Sequence, residues 1–115
     1  MPDKIDQRQQ AALLQGMLDL LILRTLEVGP LHGWGISKSI RQMSHDVLSV
    51  NQGSLYPALY RLEAAGLIAG KWNTTAEGRD TKVYSLTRAG RKHLKAENEY
   101  WLLFSQAVND VLNGT

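Results

Sequence analysis

The hydrophobic period of this chain changes twice, and the order of those changes limits the folds open to it. Apolar residues recur at helical spacing as far as Ala65-Gly66, give way to short β-branched and aromatic runs, and return to helical spacing after Thr87. Over residues 11–28, Leu14, Met17, Leu18, Leu21, Ile22 and Leu26 form one stripe, while Leu13, Leu20 and Leu23 fill much of the remaining circumference. A helix apolar on more than one side must be covered on more than one side, so a second subunit is expected to supply part of the cover. Gly29-Pro30 ends this helix. A shorter one is predicted over about 32–43, with Trp34, Ile36, Ile40 and Met43 near helical spacing, and 44–50 reads as a turn. Asn51 suits the N-cap of a third helix, because its side-chain carbonyl can accept from backbone N–H groups two or three residues on. That helix turns Leu55, Leu59 and Leu62 inward and ends at Ala65-Gly66, where glycine fits a left-handed position. Pro57 lies inside it and crowds the Gly53 carbonyl, so its first turn is expected to be loosened or bent.

Residues 67–74 and 81–86 read as the two strands of a β-hairpin around the polar, Gly78-containing stretch 75–80. Thr87 is the expected N-cap of a long helix reaching about residue 112, in which Leu94, Trp101, Phe104, Val108 and Val111 keep spacings of three and four. Its run Tyr100, Trp101, Leu102, Leu103, Phe104 would be an error on a solvent-facing helix, and implies a partner surface. Three short helices followed by a hairpin form the winged helix-turn-helix arrangement, in which the third helix enters the major groove of DNA and the hairpin touches the neighbouring backbone or minor groove. The expected fold is therefore mainly α with a small β-hairpin. Residues 11–86 would form a DNA-binding domain that includes the N-terminal helix, and 87–113 a dimerisation helix.

Composition narrows the chemistry. A chain of 115 residues is one domain's worth. The absence of cysteine excludes disulfides, thiolate zinc sites and cysteine nucleophiles. His32, His45 and His93 lack metal-ligand spacing, Gly33-Trp34-Gly35 lacks the spacing and the Lys-Ser/Thr of a phosphate-binding loop, and no Ser/His/Asp set has motif context. No enzyme, metal or cofactor is expected. Apolar stretches fall well short of the roughly 20 residues that span a bilayer, and the first ten residues are polar, so a soluble intracellular protein with no membrane partner is expected.

Charge is distributed unevenly. Residues 1–37 hold three Lys/Arg against four Asp/Glu, 38–95 hold ten against four, and 96–115 hold none against three. A basic centre between acidic ends is the one-dimensional image of a polyanion-binding face, and also of an ordinary solvated surface. Position favours the first: Lys38 and Arg41 fall on the second helix, Arg61 on the third, and Lys71, Arg79 and Lys82 on or around the hairpin. Asn51, Gln52, Gly53 and Ser54 at the third helix's start could meet base edges or phosphates, or Asn51 could simply cap. Tyr56 and Tyr60, four apart, can donate to phosphate or pack. Asp80 could pair locally with Arg79 or Lys82. Arg88, Arg91, Lys92 and Lys95 suit a solvated face, and His32 a helix-initiating turn that it packs against or caps.

The strings LQGMLDLLILRTLEVGPLHGWGI, NQGSLYPALYRLEAAGLI and KVYSLTRAGRKHL resemble the PadR family of bacterial transcriptional regulators, in particular its short subfamily. The resemblance runs from about residue 14 to 112. The Gly53-Ser54-Leu55-Tyr56-Pro57 segment, followed by Leu62-Glu63 and Gly66-Leu67-Ile68, is far more specific than a generic helix-turn-helix pattern. It implies a cytoplasmic, homodimeric repressor on a pseudo-palindromic operator in double-stranded DNA, its dimer made by the long helix packed with the partner's N-terminal helix. The expected interface includes Leu13, Leu20, Leu94, Trp101, Phe104, Val108 and Val111. His32-Gly33-Trp34 departs from the family's usual His-Gly-Tyr and exchanges a phenolic hydroxyl for an indole N–H donor. Trp101 lies where some multidrug-binding members carry a tryptophan that stacks on planar ligands at the dimer centre, so it is either a dimer anchor or a contact for a small-molecule effector, or both. A winged-helix protein-interaction module remains the alternative. An RNA reader is less well supported, since only Trp72 and Tyr84 are aromatic among the strands.

Overall fold

Apolar spacing places the first helix of the computed structural model, α1 (Leu18–Val28), with Ile22, Leu23 and Leu26 in the core. The structure describes residues 16–114. Leu13, Leu14 and the start predicted for this helix lie outside them. Thr25 is also buried, and its hydroxyl donates to the Ile22 carbonyl at 2.7 Å, which satisfies it. After Gly29-Pro30 the chain stays extended for a two-residue strand, β1 (Leu31–His32). The sequence predicted a helix from about residue 32 and a sheet of two strands, and two residues offer no period to read.

His32 then caps α2 (Gly33–Met43), its Nδ1 accepting the Gly35 N–H at 3.0 Å. Ile36 and Ile40 face inward. The following turn passes through His45 and Asp46 in the left-handed region, and Ser44 Oγ accepts the Leu48 N–H at 2.9 Å. Asn51 caps α3 (Gln52–Ala64) by accepting the Ser54 N–H at 2.9 Å. Leu55, Ala58, Leu59 and Leu62 form its buried face. The helix runs uninterrupted through Pro57, where the sequence led us to expect a loosened turn. Gly53, whose carbonyl loses its helical donor, is exposed, so water can replace that donor.

Gly66, at φ 77°, turns the chain into β2 (Ile68–Thr74), which pairs with β3 (Asp80–Leu86) around Gly78 at φ 78°. The antiparallel sheet has the order β1-β3-β2: Leu31 lies opposite Tyr84, Gly70 opposite Tyr84 on the other side, and Trp72 opposite Lys82. Thr87 caps α4 (Arg88–Leu112), accepting the Gly90 N–H at 3.0 Å and donating to the Gly66 carbonyl at 2.7 Å. Gly90 packs so closely on the Leu67 carbonyl that a Cβ has no room. Leu94 completes the core with Ile68 and Tyr84. Beyond it α4 leaves the domain, and apart from the half-buried Ser105 its residues are exposed. Among the described residues no helix is long and apolar enough to cross a membrane.

Candidate nucleic-acid interface

α3 has two faces because its buried residues repeat at helical spacing: Leu55, Leu59 and Leu62 anchor it, which leaves Gln52, Gly53, Ser54, Tyr56 and Tyr60 exposed. Its N-terminus, with backbone N–H groups and the positive end of the helix dipole, therefore faces outward. Asn51 spends its side-chain carbonyl on the cap. Tyr56 leans back over the start of α2, so that a Cβ built on Gly33 would lie 2.8 Å from its hydroxyl oxygen. Tyr60 is 77% exposed and touches solvent over most of its ring.

A groove of about 780 Å³ lies among Tyr56 of α3, the start of α2 and the β2–β3 hairpin. His32, Gly33, Trp34 and Tyr56 line one side, and Trp72, Arg79, Thr81, Lys82 and Tyr84 the other. Trp34 and Trp72 are both largely exposed. The His32 ring stacks on Trp34 at 5.6 Å between centroids, and Lys38 Nζ lies 4.9 Å from the Trp34 ring centroid. Sequence reasoning treated these tryptophans separately, one as a departure from a family pattern and one as a strand residue. Their common groove is created by the α2–β3 packing and has no trace in the sequence: Trp34 is exposed although its spacing put it with Ile36 and Ile40, and Trp72 is exposed although it alternates in step with the buried Ile68.

The candidate cations divide into two groups. Arg61 meets Asp19 at 3.0 Å, Arg41 meets Asp46 at 3.3 Å, and Lys82 meets Glu63 at 2.8 Å. The Arg41 and Arg61 pairs are more than one-third exposed on both members and can exchange their carboxylates for phosphate at little expense. Lys82 is more enclosed, with its Nζ 5.8 Å from the Trp72 ring centroid and 5.5 Å from that of Tyr84. The hydrogen bond to Glu63 raises its pKa, while burial raises that of Tyr84. Lys38, Lys71 and Arg79 have no acidic partner among the described residues. Asp80 takes the Thr74 hydroxyl at 2.8 Å instead of pairing with Arg79 or Lys82. Arg88, Arg91, Lys92 and Lys95 are exposed on the first turns of α4.

A second, apolar surface lies away from the first. Met17, Leu20, Trp101, Phe104 and Val108 line a groove of about 670 Å³ between the start of α1 and the second half of α4. The rings of Tyr100 and Trp101 each lie 6.4 Å from that of Phe104. Trp101 is 36% exposed, and Phe104, Val108 and Val111 more so. Leu94, expected on this surface, is instead covered by its own chain in the domain core, and Leu13 lies outside the described residues.

The family model described as the transcriptional regulator PadR-like family matches residues 22–96, from the core of α1 through Leu94. A transcriptional regulator of Mycobacterium tuberculosis is 34% identical over 74 residues, which are 64% of this chain and 65% of that one. Among solved structures, a transcriptional regulator from Clostridium thermocellum superposes with a TM-score of 0.79 at 29% identity, covering 86% of this chain and 96% of the other. A PadR family transcriptional regulator from Eggerthella lenta superposes with a TM-score of 0.79 at 27% identity, covering 90% and 88% respectively.

Proposed function

This chain belongs to the transcriptional regulator PadR-like family, a family of regulators rather than enzymes, and on that premise we propose that it is a sequence-specific DNA-binding repressor acting as a homodimer. The observation that carries the reading is a groove lined by both Tyr56, in the exposed first turns of α3, and the unpaired Arg79 of the hairpin. In the proposed complex, α3 lies in the major groove with Gln52, Gly53 and Ser54 near base edges, and Asn51 chiefly holds the helix end. Tyr56, Tyr60 and Lys38 contact backbone, and Lys71 and Arg79 reach phosphates or the minor groove beside it. Arg41 and Arg61 join them by exchanging partners.

The apolar half of α4 supports the second element of the proposal. Trp101, Phe104, Val108 and Val111 on one protomer, with Leu20 of α1, form a surface that a second copy would cover. Residues 11–86 then serve DNA binding and 87–113 pairing, with Gly90 and Leu94 fastening the two together. Two α3 helices spaced by roughly one turn of DNA, about 34–36 Å, read a pseudo-palindromic operator in the bacterial cytoplasm and occlude a promoter.

The groove beside Trp101 supports a second reading, in which a planar apolar effector enters at the dimer centre and changes the spacing of the two winged domains. A gel shift with duplex from upstream of the protein's own gene, repeated at two salt concentrations, tests the main reading. Specific binding that weakens steeply with salt is expected. Absence of binding to duplex DNA would favour the protein-interaction module.

A further inference from the structure

Lys82 would count as a phosphate ligand by sequence position, since it stands on the hairpin of a basic domain. Its surroundings point elsewhere. Nζ donates to Glu63 Oε1 at 2.8 Å, a contact between β3 and the last turns of α3 made 19 residues apart in the chain. The Lys82 and Glu63 side chains are 27% and 33% exposed, which makes this the least exposed of the ion pairs among the described residues. The lysine reaches the carboxylate by crossing β2 at Gly70. A Cβ built there would overlap Lys82 Cε and come 3.0 Å from Glu63 Oε2. The rings of Trp72 and Tyr84 both lie within reach of the ammonium group, with centroids 5.8 and 5.5 Å from it.

We infer that Lys82 and Glu63 are positioning residues for DNA binding: their ion pair, formed across Gly70, fixes the β2–β3 hairpin against α3, and Lys82 contacts no phosphate. The inference rests on the DNA-binding reading above. β1 pairs with β3 only as far as Val83, so the hairpin beyond that rung projects from the sheet and can swing, and the spacing between the groove-reading helix and the wing decides whether both engage one duplex. Glu63 bonds the hairpin at mid-strand, well beyond the loop at Gly66, and so limits that swing where Arg79 and Lys71 need it limited. The raised pKa of Lys82 accords with an ammonium held by its carboxylate.

The probe is a duplex that the wild-type protein selects from a random-sequence pool, followed by fluorescence anisotropy over a salt series at a temperature where every variant is folded by its melting curve. Failure of the wild-type protein to select any duplex overturns the DNA-binding reading and this inference together. With a duplex selected, Glu63→Gln and Lys82→Gln are each expected to weaken binding about five- to tenfold, and the double variant no further than the worse single. The slope of log affinity against log salt stays at its wild-type value in all three, whereas Arg79→Gln lowers it by about one. Gly70→Ala, which changes no charge, is expected to weaken binding to the same extent as the ion-pair variants. A direct phosphate contact predicts the reverse pattern: Lys82→Gln lowers the salt slope by about one, and Glu63→Gln, by removing a negative charge near DNA, tightens binding. Either of those results, or wild-type affinity in Gly70→Ala, overturns the inference while leaving the DNA-binding reading intact.

Discussion

The phenol of Tyr56 covers Gly33 so closely that a Cβ there would lie 2.8 Å from the hydroxyl oxygen and 3.0 Å from two ring carbons. This contact joins the start of α3 to the start of α2 and sets the direction in which Tyr56 faces the groove. Gly33→Ala should push the ring outward. Because Tyr56 is about half exposed, the ring can yield into solvent, and the loss of stability should stay near the low end of the roughly 1–3 kcal/mol seen for overpacked sites. Duplex affinity should fall more than stability, and to the level of Tyr56→Ala. Melting curves and anisotropy titrations on both variants check this, and unchanged affinity in Gly33→Ala would remove Tyr56 from the interface.

Asn51 separates capping from recognition by a comparison of two substitutions. Its carbonyl holds the Ser54 N–H, so Asn51→Ala should lose about 1 kcal/mol, whereas Asn51→Gly should lose only a few tenths. Neither variant has a side chain that can reach a base. If Asn51 only caps, urea denaturation and duplex affinity move together and the glycine variant is nearly wild type in both. A glycine variant that is stable and yet binds poorly would assign Asn51 a direct contact.

Alkaline pH probes the hairpin core. Burial raises the pKa of Tyr84 above its ordinary 10.0, and the Glu63 hydrogen bond raises that of Lys82 above 10.5. Above these ordinary values the unfolded chain has already released protons that the folded chain retains. Stability from both groups is therefore complete below about pH 10 and is lost as pH rises through the folded pKa values. The melting temperature should hold steady from about pH 8 to pH 10 and then decline, and Tyr84→Phe should flatten part of that decline. A flat profile to about pH 11 in the wild-type protein would contradict it.

The elements were legible where a period or a cap announced them. Asn51, Thr87 and Gly66 mark three boundaries that the structure reproduces, because each satisfies a backbone need nearly independent of what packs around it. β1 escaped notice since Leu31 and His32 become a strand only by lying beside Tyr84 and Val83, some fifty residues away. The interface was less legible than the fold for the same reason. A basic residue and a hairpin position suffice to nominate Lys82, but Glu63, Gly70 and the two neighbouring rings come together only in three dimensions. Leu94 shows the converse: its spacing continues the apolar seam of α4, yet the domain covers that turn first.

Trp101 and Leu94, seven residues apart on α4, should respond to truncation in opposite ways. Leu94 is 5% exposed in the domain core, so Leu94→Ala should destabilise the fold by about 2–5 kcal/mol and leave the association of the folded chains nearly unchanged. Trp101 lines the apolar groove between α1 and α4 and remains 36% exposed in the single chain. A second copy that covers it would make it an anchor, and its loss should remove about 2 kcal/mol or more of pairing energy, roughly a thirtyfold rise in the dimer dissociation constant. Sedimentation over a concentration series, together with urea denaturation of each variant, distinguishes the two effects. A Trp101→Ala protein that sediments as a dimer at every concentration where the wild type does would leave the groove free for an effector, and would move the pairing surface to the more exposed Leu102 and Leu103 side of the helix.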